Sequence, residues 1–314
     1  MEFNVLYYPY SHTLPASLQA TKYVAVNTIY NAFELYWLCI LPLLFLGIPL
    51  CLSCIPLEIS MPYKMRNKAA MIPTIPGQWD PKWIVPKHIA VIMDGNRRYG
   101  RTRYGLPIKG HQEGSQRVVD FMHWCSNAGV KVLTVYAFST ENWGREKTEV
   151  DALMNIFTSF MNDIIPQALE RDMCIRVLVS DGAKLPAHIA QAINKIEAAT
   201  AHCKSFTLNI CASYGSRSEM VHACQAIASK VANGTMNIDD INEATFGQHL
   251  LTKDIPDPDL MIRTSGESRI SNFLLYQIAY SELLFVDKMW PELQYEDFVQ
   301  IIQQYNSRKR RFGK

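Results

Sequence analysis

His88-Ile-Ala-Val-Ile-Met-Asp-Gly-Asn-Arg-Arg-Tyr99 is the stretch of this 314-residue chain that decides the fold. Its apolar run, residues 89–93, predicts a short buried strand, which the following Asp-Gly pair interrupts. A helix is then predicted to begin at the Asn-Arg-Arg triplet. A carboxylate, free backbone N–H groups and two guanidinium groups at a strand-to-helix turn favour a site for a polyphosphate and its metal ion. An ordinary Asp-Gly turn with solvated arginines is the alternative interpretation.

Five further apolar runs follow and alternate with longer helical patterns. They occupy residues 132–138, 175–179, 207–212, 260–262 and 283–286. Continuous hydrophobicity, without alternation of polar residues, predicts strands that are covered on both faces and therefore a mainly parallel sheet. The predicted fold is a single α/β domain with a mainly parallel six-stranded sheet flanked by helices.

The chain before this domain divides into three parts. Residues 1–34 form an N-terminal extension, and residues 35–57 form an uncharged apolar run that is long enough for a transmembrane or membrane-anchor segment. Basic residues directly after the run predict that the C-terminal part faces the cytosol. Prolines within the run leave a shallow hairpin anchor as the alternative. Residues 58–86 are a proline-rich linker, and residues 87–314 are the predicted domain.

Residues 149–170 carry apolar side chains at helical spacing over about six turns. Such a stripe is typical of a helix packed on a sheet. The alternative is that the helix forms one wall of a deep apolar pocket for a long hydrocarbon.

Polar residues are grouped around the predicted strands in a way that suits a ligand site. In open α/β sheets, ligands bind beyond the carboxyl ends of strands. Residues 94–98 and 110–111 follow the first strand, residues 138–145 the second and residues 263–272 the fifth, while Glu282 precedes the sixth. Each group alone has an ordinary structural explanation. We expect them to converge on one rim that binds two diphosphate groups and a divalent cation.

Composition and missing motifs exclude several other classes of function. The 31 basic and 29 acidic residues nearly cancel, so net charge gives no argument for a nucleic-acid partner. The chain has no Walker loop, GxGxxG turn, GxSxG elbow or HExxH helix. It also lacks the DDxxD pattern of the all-helical prenyl synthases. The CxxC spacing at residues 51–54 lies inside the apolar run without a second pair, so it does not favour zinc.

Three segments together resemble the cis-prenyltransferases, the family of undecaprenyl and dehydrodolichyl diphosphate synthases. These segments are His88–Asn96, Tyr136–Arg145 and Asp259–Ala279, and the resemblance extends over residues 85–313 in the family's order. It implies a Mg²⁺-dependent enzyme in which helices and sheet enclose a hydrophobic tunnel.

The resemblance also implies a role for each residue of the primer subsite. Asp94 is expected to bind Mg²⁺ and to assist departure of the allylic diphosphate. The backbone after Asp94 and three side chains are expected to hold that diphosphate: Asn96, Arg98 and His111. The same substrate-binding set includes Gly95, Arg97 and Tyr99.

The second diphosphate, that of isopentenyl diphosphate, is implied to bind Arg263, Arg269 and Ser271, with Glu282 contributing to the metal environment. A mobile segment is expected to organise both substrates, through Ser139, Glu141, Asn142, Trp143 and Arg145, with Asn142 among the catalytic residues. Phe138 and Ala137 are expected near the start of the tunnel.

The sequence departs from the family's pattern in one place. Many members have an arginine four residues before the histidine, and here that position is Pro107. Lys109 or Arg103 is the expected substitute. The RxG motif that some enzymes take from a partner subunit is present here as Arg311-Phe-Gly313. The chain is therefore expected to form a homodimer whose tails complete the neighbouring site.

The expected activity is elongation of an allylic primer, expected to be farnesyl diphosphate, to a long polyprenyl diphosphate for the dolichol pathway at the endoplasmic reticulum membrane. Two alternatives keep the same fold. One is a non-catalytic accessory subunit, which typically lacks residues of the Asp94 and Asn142 type. The other is a short-chain synthase, against which the anchor and the apolar helix argue.

Overall fold

The computed structural model describes residues 79–308, which belong to one compact unit. The predicted extension 1–34, the apolar run 35–57, most of the linker and the tail 309–314 lie outside these residues. Between residues 79 and 308, no helix combines the length and the hydrophobicity that a bilayer crossing requires. The membrane anchor stays a prediction.

The sheet of the described region contains all six predicted strands. They are β1 His88–Ile92, β2 Val132–Ser139, β3 Met173–Leu178, β4 Phe206–Tyr214, β5 Leu260–Arg263 and β6 Glu282–Phe285. Their order is β3-β4-β2-β1-β5-β6, and every neighbouring pair is parallel. The central strand β1 is buried along its whole length, which explains its unbroken apolar run.

Helices connect the successive strands from β1 to β5, whereas β5 and β6 are joined by a loop, residues 264–281 of the described region, without a helix. This loop packs Phe273, Leu274 and Ile278 against the sheet. Within residues 79–308 the α-helices are α1 Asn96–Tyr104, α2 Pro107–Ala128, α3 Lys147–Glu170, α4 Ala187–Thr200, α5 Ser216–Ala232, α6 Glu243–Gly247 and α7 Tyr295–Ser307. Short 3₁₀ helices lie at Thr140–Gly144, Ile238–Asp240 and Trp290–Glu292.

The order of the strands places a crevice at the carboxyl ends of β1 and β5. From β1 the chain first builds the sheet on one side, through β2, and later returns to add β5 and β6 on the other side. This reversal is a topological switch point, where ligands of open α/β sheets bind. Ile92 of β1 is in register with Arg263 of β5, so the residues that follow β1 lie beside Arg263.

Helix α3 packs on the sheet and also forms one wall of an apolar cavity, while a long hydrocarbon as the ligand of that cavity stays a prediction. Val150, Met161 and Ile164 are buried in the main hydrophobic core. Leu153 and Phe157, on an adjoining stripe of the same helix, line an apolar cavity. The helix thus packs on the sheet with one part of its apolar surface and forms a cavity wall with another.

Helices α1 and α2 cross in a close contact that only glycine allows. A Cβ atom on Gly110 would lie 1.9 Å from the carbonyl oxygen of Asn96, and one on Gly100 would lie 2.6 Å from the backbone nitrogen of Gly110. This crossing brings the first turn of α2, including His111, against the first turn of α1. The same two turns carry several of the predicted site residues.

Candidate active site

Asp94 is held at the switch point by bonds to both its side chain and its backbone. Its Oδ2 accepts a hydrogen bond from Nη2 of Arg263 at 2.7 Å, and its Oδ1 accepts one from the N–H of Gly95 at 2.7 Å. The carbonyl oxygen of Asp94 accepts bonds from Thr264 and Trp290. The carboxylate is therefore fixed at the edge of the cleft.

Gly95 allows the sharp turn between β1 and α1. Its φ of 99° lies in the left-handed region, and a Cβ atom here would lie 2.8 Å from the side chain of Met289. The turn aims the N-terminus of α1 at the cleft, where helix N–H groups favour an anion.

Arg263 forms the centre of the second predicted anion-binding group. Arg263 is 3% exposed to solvent. Its Nη1 donates hydrogen bonds to the carbonyl oxygen of Arg269 at 2.6 Å and to Oγ of Ser271 at 2.7 Å. The structure thus brings together all three residues that were predicted to hold the isopentenyl diphosphate. The Arg269 guanidinium is largely exposed and pairs with Glu267, which also pairs with Arg98 at 3.3 Å.

His111 and Asn96 present buried polar atoms that no described residue satisfies. These atoms are Nε2 of His111 and Oδ1 of Asn96, and both residues line the cleft as well as the apolar cavity. Burial, followed by the charges of Arg145 and Arg97, lowers the pKa of His111 to about 4. The imidazole is therefore neutral at pH 7 and has hydrogen-bonding capacity left for a ligand.

The 139–145 segment forms a short 3₁₀ helix at the rim. The side-chain oxygen of Asn142 accepts the N–H of Ser139 at 3.1 Å, Arg145 pairs with Glu149 at 3.1 Å, and Glu149 also pairs with Arg97 at 3.4 Å. These contacts tie the segment to the start of α3 and to α1, so the predicted rim residues of β1 and β2 lie on one surface.

Glu141 of the same segment is bound to the loop after β5. Its Oε1 accepts a hydrogen bond from Nδ2 of Asn272 at 3.1 Å. Burial opposes its charged form, but hydrogen bonds from its own backbone, Asn272 and neighbouring hydroxyls lower the pKa of Glu141 overall.

The polar cleft opens into the apolar cavity. The cleft encloses about 1820 Å³ and the cavity about 760 Å³, both counted with their open mouths. The two share Met93, Asn96, His111, Ala137 and Leu153. Phe138, predicted near the start of the tunnel, lines the cavity. A molecule with an anionic head and a hydrocarbon tail matches this pair of volumes.

Two predicted site residues, Tyr99 and Trp143, lie elsewhere than expected. The hydroxyl of Tyr99 donates to Glu113 at 2.8 Å, and this residue does not line the cleft. The indole of Trp143 donates to Oγ of Ser213 at 2.8 Å and packs on Phe138, with ring centroids 4.9 Å apart. Trp143 thus supports the segment from behind and does not line the cleft.

The expectation that Glu282 joins Asp94 at the rim is wrong for a single copy of the chain. Glu282 begins β6 and is in register with Leu260 at the start of β5. It therefore lies at the amino edge of the sheet, where it pairs with Arg308 at 3.0 Å. A residue that precedes a parallel strand lies at the edge opposite to residues that follow one. Arg311 and Gly313 lie outside the described residues.

The structure also identifies cleft residues that had no individual role assigned from the sequence. Arg101 and Asn272 line the cleft, whereas neither Lys109 nor Arg103 does. Pro107 occupies the first turn of α2, a position that proline favours. Arg101 was detectable from sequence, since it follows Arg97 and Arg98 by four and three residues and lies on the same helix face.

A magnesium ion fits the donors of the cleft. No group of three His, Cys, Asp or Glu residues capable of holding a metal occurs among residues 79–308. Mg²⁺ commonly uses only one or two carboxylates and takes its remaining ligands from phosphates and water. Asp94, at the edge of a cleft rich in guanidinium groups, meets this requirement if the substrate supplies phosphate oxygens.

Comparison with known proteins agrees with this geometry. The family model described as "Putative undecaprenyl diphosphate synthase" matches residues 92–313. The chain belongs to the cis-prenyltransferase family. The tritrans,polycis-undecaprenyl-diphosphate synthase (geranylgeranyl-diphosphate specific) of Pyrococcus furiosus is 45% identical over 232 residues, which are 74% of this chain and 88% of that protein.

Two further relatives of this cis-prenyltransferase differ in the substrates that their names state. The ditrans,polycis-undecaprenyl-diphosphate synthase ((2E,6E)-farnesyl-diphosphate specific) of Micrococcus luteus is 43% identical, over 73% of this chain and 92% of that protein. The crystal structure of lavandulyl diphosphate synthase from Lavandula x intermedia, in complex with dimethylallyl diphosphate, has a TM-score of 0.70 and 36% identity. The match covers 73% of this chain and 99% of the lavandulyl diphosphate synthase chain. These relatives support enzymatic prenyl transfer with prenyl diphosphates as substrates.

Proposed function

We propose that this cis-prenyltransferase adds isopentenyl diphosphate units to an allylic primer and releases a long polyprenyl diphosphate. The observation that carries the proposal is the junction of two anion-binding groups with an apolar cavity. One group lies at the N-terminus of α1 and the other around Arg263. Two diphosphates bound there would bring their hydrocarbon parts to the shared mouth of the cavity.

The allylic diphosphate occupies the α1 side of the cleft in this proposal. The backbone N–H groups after Asp94, including that of Asn96, and the guanidinium of Arg98 compensate its charge, while the unsatisfied Nε2 of His111 can donate a hydrogen bond. The imidazole is neutral at pH 7 and donates from one ring nitrogen without needing an external proton.

Isopentenyl diphosphate occupies the side formed by Arg263, Arg269 and Ser271. The nearly buried Arg263 is fixed by the loop that supplies the other two residues. A preorganised guanidinium stabilises a diphosphate without reorganisation at the moment of reaction.

Asp94 is the residue that would hold Mg²⁺. When bound, Mg²⁺ stabilises negative charge on phosphate oxygens as a Lewis acid. Asp94 gives Oδ2 to Arg263 in the structure. An ionised carboxylate has about four acceptor sites, so Asp94 can hold the metal and keep its bond to Arg263.

Separation of the allylic diphosphate leaves positive charge on the allyl carbon and negative charge on the departing group. The residues around α1 stabilise the departing group, and the double bond of isopentenyl diphosphate attacks the allyl carbon. A proton then passes from C2 of the isopentenyl unit to an oxygen of the departed diphosphate, and the new cis double bond forms between C2 and C3. Asn142 lines the cleft between both substrates, with its side-chain oxygen already used to cap the 139–145 segment. Its Nδ2 is assigned to hydrogen bonding with a diphosphate.

Burial in the apolar cavity favours inward movement of the growing hydrocarbon chain. Burial of one CH₂ group is worth about 0.8 kcal/mol, so a five-carbon unit gains about 4 kcal/mol. This gain favours withdrawal of the product from the cleft after each addition.

The remaining parts of the proposal concern the setting of the enzyme. Farnesyl diphosphate is the proposed primer, and the Micrococcus relative, whose name specifies it, supports this choice. The apolar run 35–57 is proposed to attach the chain to the endoplasmic reticulum membrane, with the catalytic domain in the cytosol and the product entering the dolichol pathway. A homodimer is proposed because the family resemblance implies that the RxG motif, Arg311-Phe-Gly313, completes the site of a neighbouring copy.

Incubation of the purified full chain with farnesyl diphosphate, labelled isopentenyl diphosphate, Mg²⁺ and detergent tests the proposal, with products separated by length. Long products that disappear in Asp94→Ala and Arg311→Ala are expected. Products that stop after one or two additions would establish a short-chain synthase. No elongation by a well-folded chain would indicate an accessory subunit.

A further inference from the structure

Asn272 lies directly after Ser271, where the loop behind β5 meets the start of α5. Its φ is 63° and that of Ser271 is 51°, so two successive residues adopt the left-handed conformation. Asparagine tolerates this conformation better than most residues. The backbone thus turns sharply at the point where the Ser271 hydroxyl bonds to Arg263.

The carbonyl groups of Asn272 satisfy the first N–H groups of α5. Its backbone oxygen accepts the N–H of Ser216 at 2.8 Å, and its Oδ1 accepts the N–H of Arg217 at 2.9 Å. The first N–H groups of a helix have no partner within the helix, so residue 272 acts as a cap from outside the helix. Gly215 leaves room for this contact, since a Cβ atom there would lie 2.6 Å from Nδ2 of Asn272.

The amide nitrogen of the same side chain bonds to the 139–145 segment. Nδ2 of Asn272 donates to Oε1 of Glu141 at 3.1 Å. Hydrogen bonds including this one favour the charged form of Glu141 and lower its pKa. A neutral donor to a carboxylate is a charge-assisted bond, which is stronger than a bond between neutral groups.

These contacts form a continuous connection between the two halves of the cleft. Glu141 bonds to Asn272, which is covalently joined to Ser271. Ser271 bonds to Arg263, and Arg263 bonds to Asp94. Since α5 fixes both carbonyl groups of Asn272, its amide nitrogen has little freedom to follow the 139–145 segment if that segment moves.

We propose that Asn272 is a positioning residue that makes the isopentenyl diphosphate subsite complete only when Glu141 is seated against it. It sets the position of the Ser271 hydroxyl, and through it Arg263, relative to the 139–145 segment. This inference rests on the proposed function, because it assigns isopentenyl diphosphate to the Arg263 side of the cleft.

Asn272→Asp tests the inference with little change in shape. Aspartate tolerates the left-handed conformation and still accepts the N–H of Arg217, but it places a second carboxylate against Glu141. The KM for isopentenyl diphosphate is expected to rise about tenfold or more, since a charge-assisted bond becomes a repulsion. The KM for farnesyl diphosphate and the thermal unfolding temperature are expected to change little.

Adding a second substitution, Glu141→Gln, reverses the direction of the hydrogen bond between residues 272 and 141. In the Glu141→Gln, Asn272→Asp double variant, the glutamine amide can donate to the aspartate. Recovery of most of the lost affinity for isopentenyl diphosphate is expected, relative to the two single variants. Asn242→Asp is the matched control, because Asn242 caps α6 through Thr245 and lies outside the cleft.

Unchanged KM values in Asn272→Asp, or a loss confined to thermal stability, would show that Asn272 is only a helix cap. A double variant no better than Asn272→Asp would refute the link to Glu141. Failure of the proposed function itself appears separately, as absence of elongation by the unsubstituted chain. In that case, calorimetric binding of isopentenyl diphosphate to the same variants decides the inference, with equal affinities overturning it.

Discussion

Substitution Asp94→Ala is expected to destabilise the folded protein as well as to abolish prenyl transfer. Arg263 is buried, and its Nη2 bonds to the Asp94 carboxylate at 2.7 Å. The substitution leaves a guanidinium charge in a buried position with neutral partners only. Loss of activity alone would be expected of any residue proposed to hold the metal ion, so the effect on stability is the more informative result.

The size of the effect follows from the exposure of the two partners. Removal of one member of a buried ion pair costs about 3–5 kcal/mol. The Asp94 side chain is 34% exposed and that of Arg263 is 4% exposed, so water can enter the vacated position. Arg263 also keeps its bonds to Arg269 and Ser271. We therefore expect the free energy of unfolding to fall by about 1–3 kcal/mol.

Urea unfolding without Mg²⁺, followed by circular dichroism, measures this loss. Asp151→Ala is the matched control, because Asp151 pairs with Lys147 at 2.5 Å while both side chains are largely exposed. That change is expected to alter the free energy of unfolding by less than about 0.5 kcal/mol. Equal unfolding midpoints for Asp94→Ala and the unsubstituted chain would refute the argument that the carboxylate stabilises Arg263.

Three further expectations concern pH, helix packing and product length. Burial lowers the pKa of His88 to about 4, so the unfolded chain takes up its proton first as pH falls. The contribution of neutral His88 to stability is fully present above about pH 6.5 and is lost as pH falls towards 4, which urea midpoints at pH 7 and 5 would reveal. Because the pKa values of His111 and His123 are lowered in the same way, His88→Gln should remove only part of this decline. Gly110→Ala places a Cβ atom 1.9 Å from a carbonyl oxygen of α1, so the free energy of unfolding in urea should fall by more than about 2 kcal/mol. Gly247→Ala is the control, because a Cβ atom there meets open space and the free energy of unfolding should change little. Phe157→Ala enlarges the apolar cavity, so chromatography should show longer products. Leu169→Ala is the control, because Leu169 is exposed on the same helix. Products of equal length from Phe157→Ala and the unsubstituted chain would contradict the assigned cavity.

The strands could be predicted from sequence because burial on both faces leaves a local signal. Each of the six apolar runs became a strand of the parallel sheet. The rim was predictable for the same reason, since residues that follow parallel strands must meet at one edge. Asp94, Arg263 and Ser271 were brought together in this way.

The errors arose where a distant partner decides the orientation of a side chain. Tyr99 turns to Glu113 on the next helix, and Trp143 turns to Ser213 at the end of β4. Glu282 was misplaced because it precedes its strand. The role of Asn272 depends on α5, which no local pattern connects with the loop behind β5. Sequence patterns indicate which residues are near the cleft, but their partners determine which of them face it.

The position of β1 has a consequence for synthesis of the protein in the cell. Asp94 follows β1, whereas its partner Arg263 lies 169 residues later in the chain. At about 5–20 residues per second, a ribosome needs roughly 10–30 seconds to add that length. During this interval the β5-facing edge of β1 has no strand to pair with, and unpaired edges promote aggregation. A nascent chain of this enzyme is therefore expected to depend on chaperones until β5 has left the ribosome.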